Sequence, residues 1–527
     1  MARSAPYGPL NAVDVLVLSS FIYLLNVSRH VAKYLISAGS VGELIIGMIY
    51  GTPITQWLHE YLQKATHDLG FIGVILLIFE GGLFTHLEEL QRNIFLSMTV
   101  ASTGVIVPMG LSFLLLCVGY GYPISTAFAS GAALATTSLG TTFFILSTQT
   151  PYDPDGPEVH CPDAAKDIRH TRIGSVLQSA ALIDDVIGLV LVSIVPIVTG
   201  ELIFGTYNRT LAEAIARPIG VSMALFLLIV VRPVREAITL MINKLCDVLL
   251  KPKFARTSEC SILLFLLVLI LSGIVAGVYY AGASPLLGAW VAGCLIGNVD
   301  EASGRTSDVD VQVEGEAAYP SEPPREFPRS FRATYKRYFA PIQTPIFEPF
   351  FFATIGYAIP FRDLWNGRVI WRGLIYAILM ALSKLVAGLW VLIWPTGAMF
   401  TRAELPACQP PITELPASKP HTAEASTSTS ISKSHKLEPT ISRYADSTAP
   451  SRLTGKSTRP FYPTMFLCVA MVARGEIGLI VAQLGGLTGE PYLVVMWAIV
   501  LCTIGGAVSV GKLLKHKRKQ CLAGVWG

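Results

Sequence analysis

Two adjacent aspartates, Asp184 and Asp185, lie inside the apolar run SAALIDDVIGLVLVSIV. If that run is a helix rising 1.5 Å per residue, the pair sits about 15 Å from its start, near the midplane of a bilayer. A charged side chain at that depth costs roughly 2.5–3.5 kcal/mol on insertion scales, so its retention calls for a reason. A carboxylate can take up and release a proton, and the same oxygens can ligate a dehydrated monovalent cation. Neighbours on a helix point about 100° apart, so the two acids cannot reach one small partner from the same direction. One of them needs a polar partner and the other can face a cavity. The structural alternative, a hydrogen-bonded pair of buried acids, is much weaker at a membrane midplane than in a soluble core.

Lys384 is the natural partner. It lies in GLIYAILMALSKLVAGLWVLI, too deep to snorkel easily to either interface. An ammonium at that depth requires a carboxylate close by, although a lysine that merely ties two helices together fits the same residues. Two further runs are interrupted by small and polar residues. GAALATTSLGTTFF carries Thr136, Thr137, Ser138, Gly140, Thr141 and Thr142, and MVARGEIGLIVAQ carries Arg474, Gly475, Glu476 and Gly478. Interrupted helices place free carbonyls and partial helix charges at the midplane, where ions bind. One such run alone reads as a small-residue packing face; two beside a paired-aspartate helix read as a site. Glu43, Glu80 and Glu348 complete the acids inside apolar runs.

These residues need a membrane body to position them. The chain has 527 residues, 52% hydrophobic and only 14% charged, against about 25% charged in soluble domains. A net charge of +4 gives no reason to expect nucleic acid. Nine cysteines show no C-x-x-C pair and no zinc spacing. No metal site, cofactor or enzymatic chemistry is expected. The segment MARSAPYGPLNAVD lacks the basic region and cleavage site of a signal peptide, so the first apolar run is expected to be retained. The sequence predicts an all-α polytopic membrane protein of about thirteen spans: 12–28, 38–52, 69–84, 95–119, 123–148, 174–199, 214–232, 260–280, 284–299, 343–360, 369–396, 463–486 and 491–512. Taking spans two to six and nine to thirteen as units, the interrupted helix is fourth in both, the pattern of an inverted repeat.

Basic residues set the orientation. The loop 232–259 carries Arg232, Arg235, Lys244, Lys251, Lys253 and Arg256, and the tail 513–527 carries Lys515, Lys517, Arg518 and Lys519. Thirteen spans place both in the cytoplasm and the N-terminus outside. The sequon Asn208-Arg209-Thr210 then falls on the outer side. Residues 12–299 form an N-terminal membrane half, 343–396 and 463–512 the remaining membrane segments. Residues 300–338, acidic and Pro-rich, and 400–462, rich in Ser, Thr, Pro and Lys, are expected as disordered cytoplasmic loops. A tolerated insertion is favoured over a regulatory role for the second. The loops and the sequon point to a eukaryotic cell, with the plasma membrane preferred over an endomembrane.

Taken together, the polar fifth run, IDDVIG, SPLLGAWVAGCLIG, FEPFFFATIG, the helix lysine and VARGEIGLIVAQ resemble the monovalent cation/proton antiporters, in particular the bacterial-type sodium/proton antiporters with a paired-aspartate site. The resemblance covers nearly all of the membrane body. It implies a core domain with two crossing broken helices, a dimerisation domain and a homodimer in the lipid bilayer. By resemblance, Asp185 matches the ion- and proton-carrying aspartate, and Asp184 its neighbour, which pairs with the lysine matched by Lys384. Thr137 and Ser138 fall in the unwound part of the first crossing helix, and Glu476 matches the acid of the second, with Arg474 beside it as a further charge-pairing residue. Some relatives append a nucleotide-binding domain; this chain has no G-x-G-x-x-G. The stretch 150–170 looks like an insertion. The implied function is exchange of Na+, with K+ as the second choice, against H+. The rivals are a cation channel, for which no carbonyl-presenting filter sequence is found, and a non-transporting ion sensor on the same body.

Overall fold

The computed structural model describes residues 11–36, 39–85, 87, 94–137, 172–200, 211–250, 259–303, 330–357, 359–393, 461–474 and 476–521. Among them all regular structure is helical. In chain order the helices are α1 (Ala12–Ile36), α2 (Gly39–Tyr50), α3 (Glu60–Leu83), α4 (Ile94–Ser112), α5 (Ile124–Ala135), α6 (Arg172–Thr199), α7 (Leu211–Val230), α8 (Arg232–Leu250), α9 (Glu259–Ala281), α10 (Pro285–Ala302), α11 (Phe331–Tyr338), α12 (Glu348–Tyr357), α13 (Gly367–Gly388), α14 (Phe461–Ala470), α15 (Glu476–Leu484) and α16 (Gly489–Cys521). Wider π-type turns extend α4 over Phe113–Gly119 and precede α12 over Gln343–Phe347. Local chemistry sets several starts. Ser284, with Pro285 behind it, accepts from Leu286 N at 3.2 Å, and Asn366 accepts from Arg368 N at 3.1 Å.

Seven helices are individually long and apolar enough to cross a membrane, and α7 passes the same test only together with α8, from which it is bent by 77°. α2, α5 and α14 are shorter apolar helices. A helix falls on each of the thirteen expected segments, but length and composition establish fewer spans than that. The outer faces match a lipid solvent: Leu16, Phe95 and Phe265 are all more than 60% exposed, which water would not tolerate over so many large side chains.

The helices form two groups. In one, α3 packs on α10 and α12, α2 on α1 and α12, and α9 on α10. In the other, α4 packs on α5, α6 and α13, α15 on α5 and α6, and α16 on α13 and α14. α7 touches α6, α9 and α10, and so contacts both groups.

Three expectations change. The basic loop 232–259 contains a helix, α8, because its apolar residues recur at helical spacing between the charges. The segment 300–338, expected to be disordered, begins with the last turn of α10 and ends with α11. Asp300 holds that end: its buried carboxylate accepts from Ser330 Oγ at 3.1 Å, Phe331 N at 3.0 Å and Arg332 N at 2.9 Å, capping α11 where the free N–H groups point. The tail from 513 begins as helix, since α16 runs to Cys521. Of the loop 400–462, only Phe461 and Tyr462 are described, opening α14. Asn208 and the insertion 150–170 lie outside the described residues.

Candidate functional site

The site is built at two helix breaks. α5 is rich in Ala and ends at Ala135; Thr136 then turns extended, with φ −68° and ψ 152°. α14 ends at Ala470, and α15 begins again at Glu476. The two interrupted elements meet closely. A Cβ on Gly478 would lie 2.7 Å from Ala133 O, so only glycine lets α15 approach α5 this far.

A helix that stops inside a membrane leaves its last carbonyls without intrahelical donors, and no water is at hand to replace them. Arg474 meets that need. It is 1% exposed, and its Nη1 donates to Thr136 O at 2.9 Å and lies 3.5 Å from Ala135 O. Its own carbonyl lies 2.9 Å from Thr503 Oγ1 on α16. Arg474 was expected to pair with an acid. The side chain of Glu476 lies outside the described residues; among the described residues no carboxylate lies within ion-pair distance of Arg474, and its Nη2 lies 3.5 Å from Met380 O.

Asp184 and Lys384 are both fully buried. Lys384 Nζ, from α13, lies 2.6 Å from Asp184 Oδ2 on α6 and donates to Thr137 Oγ1 at 3.0 Å. Thr137 Oγ1 in turn donates to Asp184 Oδ2 at 2.5 Å. The unwound segment thus supplies a hydroxyl that closes a ring with the ammonium and the carboxylate. Asp184 Oδ1, also buried, has no hydrogen-bond partner among the described residues. Asp185 is only partly buried, on a different face of α6 and within electrostatic reach of Lys384. One acid is therefore locked into a dry ion pair while its neighbour is less enclosed.

Gly104 on α4 makes room for this ring. A Cβ there would stand 3.1 Å from Lys384 Nζ and 3.7 Å from Asp184 Oδ1. Nothing in the apolar run around Gly104 marked it in the sequence. Gly104→Ala is expected to push the ammonium off its carboxylate, at a cost of about 1–3 kcal/mol typical of overpacking. Thermal unfolding of the purified protein in detergent measures it, and an unchanged midpoint refutes the contact.

Ser138 lies outside the described residues, and of Glu476 only the backbone, at the start of α15, is described. Glu43, Glu80 and Glu348 belong to the other helix group. Arg29 on α1, just past the first predicted span, bonds Glu348 and lies 3.5 Å from Glu43. Glu80 accepts from Gln343 Nε2 at 2.8 Å. These contacts form only because α1, α2, α3 and α12 pack together.

Comparison with known proteins fits this arrangement. The chain is 32% identical over 161 residues to the probable Na(+)/H(+) antiporter GerT of Bacillus cereus, which covers 29% of this chain and 36% of that protein. It is 24% identical over 179 residues to a Na(+)/H(+) antiporter of Enterococcus hirae, covering 34% and 41% respectively. The chain thus matches less than half the length of these curated relatives. Its fold is similar to that of the sodium proton antiporter MjNhaP1 from Methanocaldococcus jannaschii, with a TM-score of 0.56 at 13% identity over 97% of this chain and 99% of that one. The transmembrane sodium/hydrogen exchanger family matches residues 17–404, most of the membrane body, and the chain belongs to that family.

Proposed function

We propose that this protein is a secondary antiporter that exchanges a monovalent cation, sodium before potassium, for protons by alternating access. The observation that carries the reading is the dry Asp184–Lys384–Thr137 ring beside a less enclosed Asp185, at the meeting point of two interrupted helices. Asp185 is the carrier: a proton and a cation compete for one carboxylate, which couples two opposite fluxes through one site. Asp184 Oδ1, buried without a hydrogen-bond partner among the described residues, is a second oxygen that an arriving cation can engage. Lys384 holds Asp184 in place, Thr137 orients the pair, and Arg474 keeps the broken end of α5 satisfied as the site moves. The two helix groups, each packed within itself, support a movement of one bundle against the other.

The same reading places thirteen spans in the membrane, the N-terminus outside, the C-terminus in the cytoplasm, and the protein as a homodimer in the plasma membrane. The channel reading lacks support in the described residues, since the acid and the lysine are sealed from solvent. Reconstitution into liposomes with an internal pH dye tests the proposal. Addition of Na+, then K+, to one side is expected to move protons the other way with saturating kinetics. Cation flux that neither saturates nor moves protons would point to a channel instead.

A further inference from the structure

α8 turns away from α7 by 77°, and each of its faces meets a different medium. Residues advance about 100° apart around a helix. One stripe, Arg235, Thr239, Ile242 and Cys246, is buried against the protein. Turned about 120° from it, Val234, Met241, Leu245 and Val248 form a second stripe, apolar and 43–65% exposed. Turned the other way lie the exposed Arg232, Glu236 and Lys244, with Leu240 among them. Hydrogen bonds fix the depth of this helix. Asn298 Nδ2 donates to Thr239 Oγ1 at 2.8 Å, and Ser303 Oγ to Asn243 Oδ1 at 3.0 Å. Both bonds come from the last turns of α10, where its apolar sequence gives way to Asn298, Asp300 and Glu301. α8 therefore crosses α10 at the level where α10 leaves the hydrocarbon.

A helix at that level, apolar on one exposed side and polar on the other, lies in the membrane plane. The charge identifies its partner. On the exposed polar side Arg232 and Lys244 outnumber Glu236, the sequence just after the helix adds Lys251, Lys253 and Arg256, and Lys244 borders the apolar stripe, at the height of a lipid phosphate. We propose that α8 is a docking surface for anionic phospholipid headgroups, its Val234–Val248 stripe among the upper acyl chains and Lys244 on the phosphates. α7 continues from it to pack on α6, the helix of Asp184 and Asp185, so a leaflet that grips α8 also holds the end of a helix beside the site.

The test reads position and lipid, and does not depend on ion exchange or on which leaflet faces the cytoplasm. Full-length Met241→Trp is reconstituted into symmetric vesicles of phosphatidylcholine and phosphatidylglycerol, with bromine on the acyl chains of one lipid at a time. The emission added by the new tryptophan, taken against the wild-type background, is expected to be quenched by bromines close to the headgroups. It is also expected to be quenched more by brominated phosphatidylglycerol than by brominated phosphatidylcholine at equal bromine content. Lys244→Gln in the same protein is expected to reduce that preference about fivefold, the effect of one basic residue at a charged surface. Equal quenching by the two lipids overturns the headgroup assignment. Absence of quenching places the stripe in water and overturns the docking, and quenching that emerges only on diluting the protein in the bilayer assigns the stripe to a second copy of the chain instead.

Discussion

Asp185→Asn is expected to abolish cation-driven proton movement while the protein still folds and inserts. The substitution keeps the shape of the side chain and removes its only titratable group, so neither a proton nor a cation finds an anionic carrier. Asp184 cannot substitute, because its carboxylate is fully buried and bound to Lys384 at 2.6 Å and Thr137 at 2.5 Å. Asp185 is partly exposed to its surroundings, so replacing its charge with an amide adds no buried unpaired ion, and the thermal midpoint is expected to stay near that of the wild type. Proteoliposomes with an internal pH dye give the flux, and unfolding in detergent gives the fold. Normal exchange by this variant would sink the single-site mechanism, whereas loss of both flux and folding would assign Asp185 to the structure alone.

The second large effect concerns Lys384. Its removal leaves Asp184 as a buried carboxylate without its cation, a loss worth roughly 3–5 kcal/mol for a broken buried pair. Lys384→Gln is therefore expected to lower the thermal midpoint sharply. Adding Asp184→Asn to the same chain is expected to restore most of that stability, since two neutral amides can hydrogen-bond with no charge left buried. The double-variant cycle separates the pair energy from the two single effects. Transport gives an independent readout. If Lys384 exchanges a proton during the cycle, two protons return per cation and the wild type responds to an imposed voltage on a supported membrane. Both Lys384→Gln and the restored double variant then lose that response. Exchange by the wild type that ignores membrane potential refutes the two-proton version and leaves Lys384 as a tether, with antiport itself intact.

That Lys384 pairs with a carboxylate could be reasoned from residue types alone, because a charge in hydrocarbon restricts its partners to the few other charges in the chain; that the partner is Asp184 came from the resemblance and is seen in the packing. Arg474 shows where that reasoning stops. A buried arginine also suggested an acid, and the side chain of Glu476 lies outside the described residues; the contact that residue types did not suggest is its guanidinium on Thr136 O and near Ala135 O. Backbone carbonyls are present in every residue and leave no mark in a sequence, so a cap on a broken helix cannot be distinguished from an ion pair. Arg29 was overlooked for a related reason. It sits at the margin of its apolar run, and its contacts with Glu43 and Glu348 span more than three hundred residues in the second case.

By itself the sequence determined the all-helical membrane body, the apolar segments on which most of its helices fall, the two interrupted runs and the acids and lysine inside apolar runs. Those follow from solvent: hydrocarbon forces backbone bonds inside each segment and makes every buried charge conspicuous. Only the tertiary structure decided which acid is sealed and which is less enclosed, that Thr137 closes the ring, that Gly104 leaves the space for it, and that residues 232–250 form a helix rather than a loop. Each of these depends on the rotation and depth of one helix against another. Helical periodicity constrains rotation only where polar and apolar faces differ, and along these runs the residues facing lipid and those facing neighbouring helices are equally apolar.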